Sequence, residues 1–203
     1  MDSTGRITRE IIEKIRGDVP RGLDEFVRHY GPRLLVFVRY KLGRRLGSKV
    51  EPDDVLQDFF ATLVENSDSF LDKVDARGVH RTVFRMLENR IKDLYEFYYK
   101  TGKRDGNREV REGPSGDSKR FSFTQVAGPT ASISQRIEAL DEYRSMDELV
   151  NLLEGEARRL FILKFVEELT NQEIADELGV SLSTVKRSST QLVLTIQKVR
   201  RRA

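Results

Sequence analysis

The apolar residues of this chain recur at intervals of three and four along most of its length. A short amphipathic segment with four isoleucines, residues 7–15, ends near Pro20, and Gly22 begins a longer segment that runs to Leu42. Intervals of three and four are those of an amphipathic helix, whereas a half-buried strand alternates at every second residue. No alternation of useful length occurs. The pattern therefore predicts an all-α chain.

The stretch from Thr101 to about Ser132 breaks this pattern, because it is rich in Gly, Pro, Ser and charged residues and poor in apolar ones. Such a composition is typical of a flexible linker, and about 30 residues without structure are unusual inside one compact domain. We therefore expect an N-terminal amphipathic extension and two helical domains joined by a linker. The expected bounds are 1–20 for the extension, 21–100 for the first domain, 101–134 for the linker and 135–203 for the second domain.

A segment near the C-terminus, residues 170–187, has the residues that a helix-turn-helix requires. Thr170 and Glu173 have the spacing of a capping box, in which each side chain bonds the other residue's backbone N–H. Gly179 can adopt the left-handed conformation of the turn, and Ala175 is small where a second helix must approach. Helix pairs of this kind also occur in bundles that bind nothing.

The second helix of this pair has the character of a DNA recognition helix. Ser181 or Ser183 can cap it, and Val180 and Val185 are apolar where a small core needs filling. Residues 178–203 include six basic residues and no acidic one, which suits a phosphate backbone. The side chains expected to face a major groove are Ser183, Thr184, Lys186, Arg187 and Ser188.

A helix expected over residues 53–65 has one apolar half, which includes Val64, and one polar face. The polar face holds Asp54, Gln57 and Asp58. An acidic exposed face is often only a solvated one, and acids near a helix N-terminus also complement the helix dipole. The residues alone leave these interpretations open.

The next long helix combines a buried stripe with a basic and aromatic face. The stripe contains Phe84, Leu87, Ile91, Leu94 and Tyr98. The opposite face contains Arg81, Arg85, Lys92, Tyr95 and Tyr99, with Asn89 at its border. Cations that follow a backbone and aromatics that stack on bases suit single-stranded nucleic acid. Helices with basic faces are common, however, and acidic neighbours dilute this one.

Composition excludes several classes of function. The chain has 203 residues, a net charge of +3 and no cysteine, so nucleic-acid binding would depend on local patches and no disulfide is possible. His29 and His80 are isolated, which argues against a metal site, and no nucleophile with its base is recognisable. We expect no enzymatic activity and no cofactor. With no leader and no apolar run that could span a bilayer, we expect a cytoplasmic protein without a membrane partner.

Together, these segments resemble a bacterial RNA polymerase sigma factor of the extracytoplasmic-function (ECF) group, the smallest class of the sigma-70 family. The segments that carry the resemblance are Phe26–Leu34 and Asp53–Phe60 of a sigma-2-like domain, Phe84–Asn89 with Asp93 of a promoter-melting segment, and Leu152–Arg202 of a sigma-4-like domain.

The resemblance implies a role for each polar surface. It implies that the polymerase contacts are Asp54, Gln57 and Asp58. It implies that the single-stranded minus-10 element is bound by Arg81, Arg85, Asn89, Lys92 and Tyr95. The helix-turn-helix residues named above would bind the double-stranded minus-35 element. The implied partners are core RNA polymerase, promoter DNA and an anti-sigma factor or other protein regulator.

A helix-turn-helix regulator of the LuxR type is the alternative, because residues 169–175 and 184–186 resemble that motif too. Such a regulator would carry a sensor or receiver domain, with alternating strands and helices, in its N-terminal half. Residues 20–100 show only helical patterns, which favours the sigma factor.

Overall fold

The computed structural model describes residues 3–74, 78–99 and 133–201. Throughout these ranges the secondary structure is helical and no strand is present, which confirms the all-α prediction. Most of the predicted linker, 101–134, lies outside the described residues. The chain divides into two compact units, Met1–Ala139 and Leu140–Ala203.

The helices follow one another in a simple order. In the first unit they are α1 (Ser3–Gly17), α2 (Val19–Gly47), α3 (Pro52–Glu65), α4 (Ser67–Lys73) and α5 (Val79–Tyr99). Then come α6 (Ile133–Leu152), α7 (Gly155–Phe161), a π-helical turn (Ile162–Val166), α8 (Asn171–Leu178) and α9 (Leu182–Arg200).

The long helix α2 is the centre of the first unit, where α1, α3 and α5 all pack against it. Its side chains Phe26 and Phe37 are fully buried, as are Leu56 of α3 and Leu87 of α5. Burying large apolar side chains is the main favourable contribution to folding, at about 25 cal/mol per Å² of apolar surface. These contacts fix the outer faces of α3 and α5.

The predicted N-terminal extension forms part of this core. Ile11 and Ile15 of α1 are buried, and a Cβ atom on Gly22 would overlap the backbone of Ile15. The helix break falls at Asp18, before Pro20, because the Asp18 carboxylate caps α2 by accepting a hydrogen bond from the backbone N–H of Arg21 at 3.2 Å. A proline in the first turn is tolerated since its missing N–H has no partner there.

Helix α2 continues beyond the expected end at Leu42. Gly43 has φ 57° and ψ −167°, values that glycine adopts without a Cβ penalty, and the chain bends there. One further turn follows, ending at Gly47, and it carries Arg44 and Arg45.

Two predicted core positions are wrong. Val64 is 46% exposed because it lies beyond the edge of the buried stripe of α3, which ends at Leu63. Val180 is 40% exposed because it occupies the turn between α8 and α9, where its side chain points to solvent. Val185, one turn into α9, is buried as predicted and packs in the core of the second unit.

Candidate nucleic-acid and polymerase interfaces

The helix-turn-helix forms as its local sequence predicts. The backbone N–H of Thr170 donates to the Glu173 carboxylate at 2.8 Å, and the backbone N–H of Glu173 donates to the Thr170 hydroxyl at 3.3 Å, which completes the capping box. Gly179 ends α8 in the left-handed conformation, with φ 66° and ψ 34°. The N–H of Val180 then donates to the Ala175 carbonyl at 3.0 Å and closes the turn.

Ser181, and not Ser183, caps the recognition helix α9. Its hydroxyl accepts from the backbone N–H of Thr184 at 3.1 Å and lies 2.8 Å from the hydroxyls of both Ser183 and Thr184. Ser183 and Thr184, which were expected to face DNA, therefore share one hydroxyl cluster with the cap. A ligand that accepts a hydrogen bond from either hydroxyl competes with this cluster for the hydroxyl proton.

The next turn of α9 presents free positive charge. Lys186 and Arg187 are exposed, and neither forms an ion pair with any residue in the described part of the chain. Ser188 is half-buried. Of the predicted minus-35 residues, these two cations are thus the ones whose polar groups are fully open to a partner.

The acidic face of α3 is exposed where the sequence predicts it. Asp54 and Asp58 are exposed and Gln57 is half-buried, while Val55 and Leu56 between them are buried. The neighbouring Asp53 is different, because burial, reinforced by the negative charges of Asp54 and Glu51, raises the pKa of its carboxyl above the ordinary value. The outward acidic pair is therefore Asp54 and Asp58.

Asp58 has a partner that sequence reasoning missed. Arg90 of α5 donates from Nε at 3.0 Å and from Nη2 at 2.6 Å to one carboxylate oxygen of Asp58. Arg90 lies at the edge of the stripe formed by the buried residues Leu87 and Ile91, and its side chain reaches across to α3. Its position at the edge of that stripe was the only signal in the sequence.

The predicted minus-10 residues share one face of α5, since they recur at intervals of three and four. Arg85, Asn89, Lys92 and Tyr95 are exposed, and Arg81 is half-buried. The C-terminal half of the predicted apolar stripe is less buried than expected. Phe84, Leu87 and Ile91 are buried, whereas Leu94 and Tyr98 are only half-buried.

Much of the positive charge in the middle of this face is neutralised. Lys41 of α2 donates to the Glu88 carboxylate at 2.9 Å, and the Lys92 ammonium lies 3.9 Å from the same oxygen. Partial burial opposes ionisation of Glu88, but the hydrogen bond and charge of Lys41, with Lys92, outweigh it and lower the pKa of Glu88. Arg85, by contrast, has no acidic partner among the described residues.

The C-terminal end of α5 meets the last turn of α2. The Tyr99 hydroxyl donates to the carbonyl of Arg45 at 2.8 Å, and the Arg45 guanidinium lies 4.8 Å from the centre of the Tyr99 ring. The ring of Tyr95 lies 4.7 Å from that of Tyr99. Arg45 was not among the predicted site residues, because nothing in the sequence pairs positions so far apart.

The second unit also has an open apolar groove of about 400 Å³. Its apolar lining consists of Met146 and Leu149 of α6, Phe161 and Phe165 at the π-helical turn, and Val193 and Ile196 of α9. Phe165 is 37% exposed and Val193 is 44% exposed. A groove with this lining can accept apolar side chains from another protein.

Comparisons with known proteins agree with the helix-turn-helix. Residues 143–188 match the family model of sigma-70 region 4, a range that extends from α6 into α9. Over 60 residues the chain is 37% identical to the ferric citrate uptake sigma factor FecI of Escherichia coli (strain K12), which is 30% of this chain and 35% of that protein. The chain thus matches about a third of that relative's length. No solved structure matches it.

These two matches confirm the resemblance to ECF sigma factors of the sigma-70 family, and the C-terminal unit carries a sigma-70 region 4 domain.

Two further findings concern the described residues alone. None of their helices has the length and apolar character needed to cross a bilayer. None of their His, Asp and Glu side chains gather in groups of three or more that could hold a metal ion.

Proposed function

We propose that this chain is a sigma factor, which binds core RNA polymerase, recognises the minus-10 and minus-35 promoter elements and promotes DNA melting. The observation that carries the proposal is the sigma-70 region 4 match over a capped helix-turn-helix. Its recognition helix presents Lys186 and Arg187, which have no acidic partner among the described residues. In this proposal the chain supplies binding surfaces, and the polymerase performs the chemistry.

The recognition helix α9 would read the minus-35 element as a duplex. Side chains in the first turns of a recognition helix reach base edges in the major groove. Arg187 has a planar, forked guanidinium that suits two hydrogen bonds to a guanine, whereas Lys186 is a flexible point charge that suits a phosphate. We therefore assign base recognition to Arg187 and backbone contact to Lys186. Ser183, Thr184 and Ser188 would add hydrogen bonds at the rim of this contact.

Polymerase binding would use the polar face of α3. Asp54 and Asp58 point outward from a helix whose other side is fixed in the core, so their carboxylates are held in a defined position. A basic surface on the polymerase would match them in charge, and Gln57 between them can donate and accept hydrogen bonds.

The melted minus-10 strand would bind along α5. Arg85 and Lys92 would contact phosphates, Asn89 would bond a base edge, and Tyr95, which is 42% exposed, would stack on an unpaired base. Arg81 would extend the cationic end of this face. Binding an unstacked strand better than a duplex lowers the free energy of the open state, and promoter melting follows from that difference.

The apolar groove of the second unit supports the further proposal of a protein regulator, such as an anti-sigma factor. Its lining is apolar and partly exposed, so a partner that inserts apolar side chains would gain free energy from their burial. Such a partner would cover the flank of α9 and compete with DNA binding by the same helix.

The proposal is tested by measuring promoter binding by the chain together with core polymerase. Electrophoretic shifts would use two probes, a promoter fragment and the same fragment with a scrambled upstream element. The native complex should distinguish the probes, and the Arg187→Glu complex should not, although Arg187→Glu still co-purifies with core polymerase. A matched control is Arg144→Glu, an exposed arginine of α6. An Arg187→Glu complex that still distinguishes the probes refutes the placement of α9.

A further inference from the structure

Two arginines at the end of α2 are exposed and belong to none of the surfaces described so far. The bend at Gly43 separates Arg44 and Arg45 from the body of α2. Neither guanidinium has an acidic partner within the described ranges. Uncompensated cations on two consecutive residues create a local positive potential, which attracts phosphate.

Arg45 is held in place by α5. Its backbone carbonyl accepts from the Tyr99 hydroxyl at 2.8 Å, and its guanidinium lies over the Tyr99 ring at 4.8 Å. A guanidinium that stacks on an aromatic ring keeps its N–H donors at its edges, where they remain available to an anion. The stack therefore orders Arg45 without consuming its hydrogen-bonding capacity.

Tyr99 itself is poorly suited to stack on a base. It is half-buried, and its ring already has the Arg45 guanidinium and the Tyr95 ring as neighbours, at 4.8 Å and 4.7 Å. Tyr95 has more open surface for a base. The end of α5 therefore presents positive charge more than aromatic surface, and this favours a phosphate backbone over unstacked bases.

Charge along the DNA-facing side of α5 is concentrated at its two ends. In the middle, Glu88 lies close to both Lys41 and Lys92. Arg85 near the start of the helix and the Arg44–Arg45 pair beside its end keep their full charge. Tyr99 also continues the predicted minus-10 face, because it lies one turn beyond Tyr95.

We propose that Arg44 and Arg45, ordered by Tyr99, form a second DNA contact of the first unit, one that binds the phosphate backbone of double-stranded DNA. This inference rests on the proposed role of α5 as a DNA-binding helix. Asn89 and Tyr99 are ten residues apart, about 15 Å along the helix, which corresponds to about four base pairs at 3.4 Å each. With α5 running along the DNA axis, the contact lies about four base pairs from the base that Asn89 binds.

The test measures how DNA affinity depends on salt concentration. Log affinity falls as log salt rises, and each duplex phosphate contact makes this slope steeper by about 0.9. The full chain carries Lys186→Gln and Arg187→Gln in every variant, so that the recognition end of α9 is removed and the rest of α9 contributes equally throughout. Fluorescence anisotropy is recorded with a labelled 30-base-pair duplex and with a single strand of 30 thymidines. Relative to this background, Arg44→Gln/Arg45→Gln should reduce the slope on the duplex by about 1.8.

Three further variants separate charge from structure. Arg44→Gln alone does not touch Tyr99 and should reduce the slope by about 0.9. Arg45→Lys keeps the charge and should preserve the slope while weakening binding. The matched control Arg16→Gln/Arg21→Gln removes two exposed charges at the end of α1 and the start of α2 and should leave the slope unchanged. Arg21 lies about 35 Å along α2 from Arg45.

An unchanged duplex slope in Arg44→Gln/Arg45→Gln overturns the proposal, as does a reduction confined to the single strand. Failure of the background chain to bind the duplex at low salt overturns it too. Binding of the unmodified chain to core polymerase is measured separately. A chain that fails to bind polymerase contradicts the proposed function, whereas the DNA-binding measurements decide the Arg44–Arg45 contact.

Discussion

Arg90 of α5 places two hydrogen bonds, at 3.0 Å and 2.6 Å, on a single carboxylate oxygen of Asp58 on α3. The two residues belong to different proposed surfaces, since Asp58 lies on the polymerase-binding face and Arg90 follows Asn89 on the DNA-melting helix. The pair is partly exposed, with 42% and 49% of the two side chains accessible, so either partner can exchange it for another ion. It thus links the two surfaces.

Arg90→Gln should strengthen binding to core polymerase. It removes the cation that pairs with Asp58 in the free chain and that would compete with basic groups of the polymerase for the Asp58 carboxylate. The change in stability should be small, since exposed pairs contribute about 0.2–1 kcal/mol. Surface plasmon resonance on immobilised core polymerase measures the affinity, and urea unfolding measures the stability. Weaker binding in a variant of unchanged stability would show that Arg90 itself contacts the polymerase.

Asp54→Arg/Asp58→Arg should abolish binding to core polymerase, because it places cations against a basic surface. The chain should stay folded, since both side chains are exposed and the Asp58–Arg90 pair that is lost contributes only about 0.2–1 kcal/mol. Co-purification with core polymerase and circular dichroism measure the two effects. The matched control is Asp68→Arg/Asp72→Arg, which reverses two exposed carboxylates of α4 in the same unit. Retained binding in the first variant, or equal loss in the control, would remove the polymerase contact from α3.

Arg85→Ala/Asn89→Ala/Lys92→Ala should leave recruitment intact and impair melting, because these side chains would bind the strand only after it separates. Permanganate footprinting of the complex with core polymerase should show few reactive thymines near the start site. Arg16→Ala/Lys73→Ala, which removes two exposed cations elsewhere, should open the promoter normally. Normal opening by the triple variant would return its residues to a structural role.

Two carboxyl groups should affect stability with opposite signs. The pKa of Asp53 is raised by burial and by its acidic neighbours, so its ionised form is disfavoured in the folded chain, and Asp53→Asn should stabilise the chain at pH 7. Partial burial of Glu88 is outweighed by Lys41 and Lys92, which lower its pKa, so Glu88→Gln should destabilise the chain at pH 7.

Both effects should fade on acidification, because the native carboxyls then become neutral like the amides. The benefit of Asp53→Asn should be lost as the pH falls through the raised pKa towards the ordinary value of 3.8. The cost of Glu88→Gln should disappear only below the ordinary value of 4.5, as the pH falls through the lowered pKa. Urea midpoints between pH 3 and pH 7 measure both, and effects of equal sign at pH 7 would contradict this account.

The helix-turn-helix could be predicted in detail because its determinants are local. The capping box joins Thr170 to Glu173, and the left-handed turn needs only Gly179, so each signal lies within one turn of the residue that it positions. The polar face of α3 was predictable for the same reason, since helical periodicity alone separates Asp54 from Leu56.

The contacts that join helices could not be predicted in this way. Arg90 and Asp58 are 32 residues apart and Arg45 and Tyr99 are 54 apart, and neither pairing follows from periodicity. Tertiary contacts of this kind also decide which cations form ion pairs, since Glu88 of α5 is paired with Lys41 of α2. The errors at Val64 and Val180 have a related cause, because periodicity identifies an apolar side chain but not the edge of its packing partner.

The most direct test of the account is initiation of transcription by core RNA polymerase in the presence of the purified chain. Fragments of the source genome serve as templates, and the 5′ ends of the transcripts are mapped. The account predicts new start sites that share an upstream element at a constant spacing from a melted region. These starts should disappear with Asp54→Arg/Asp58→Arg and persist with Asp68→Arg/Asp72→Arg. Binding of the chain to DNA without any new start site would contradict the account and favour a LuxR-type regulator.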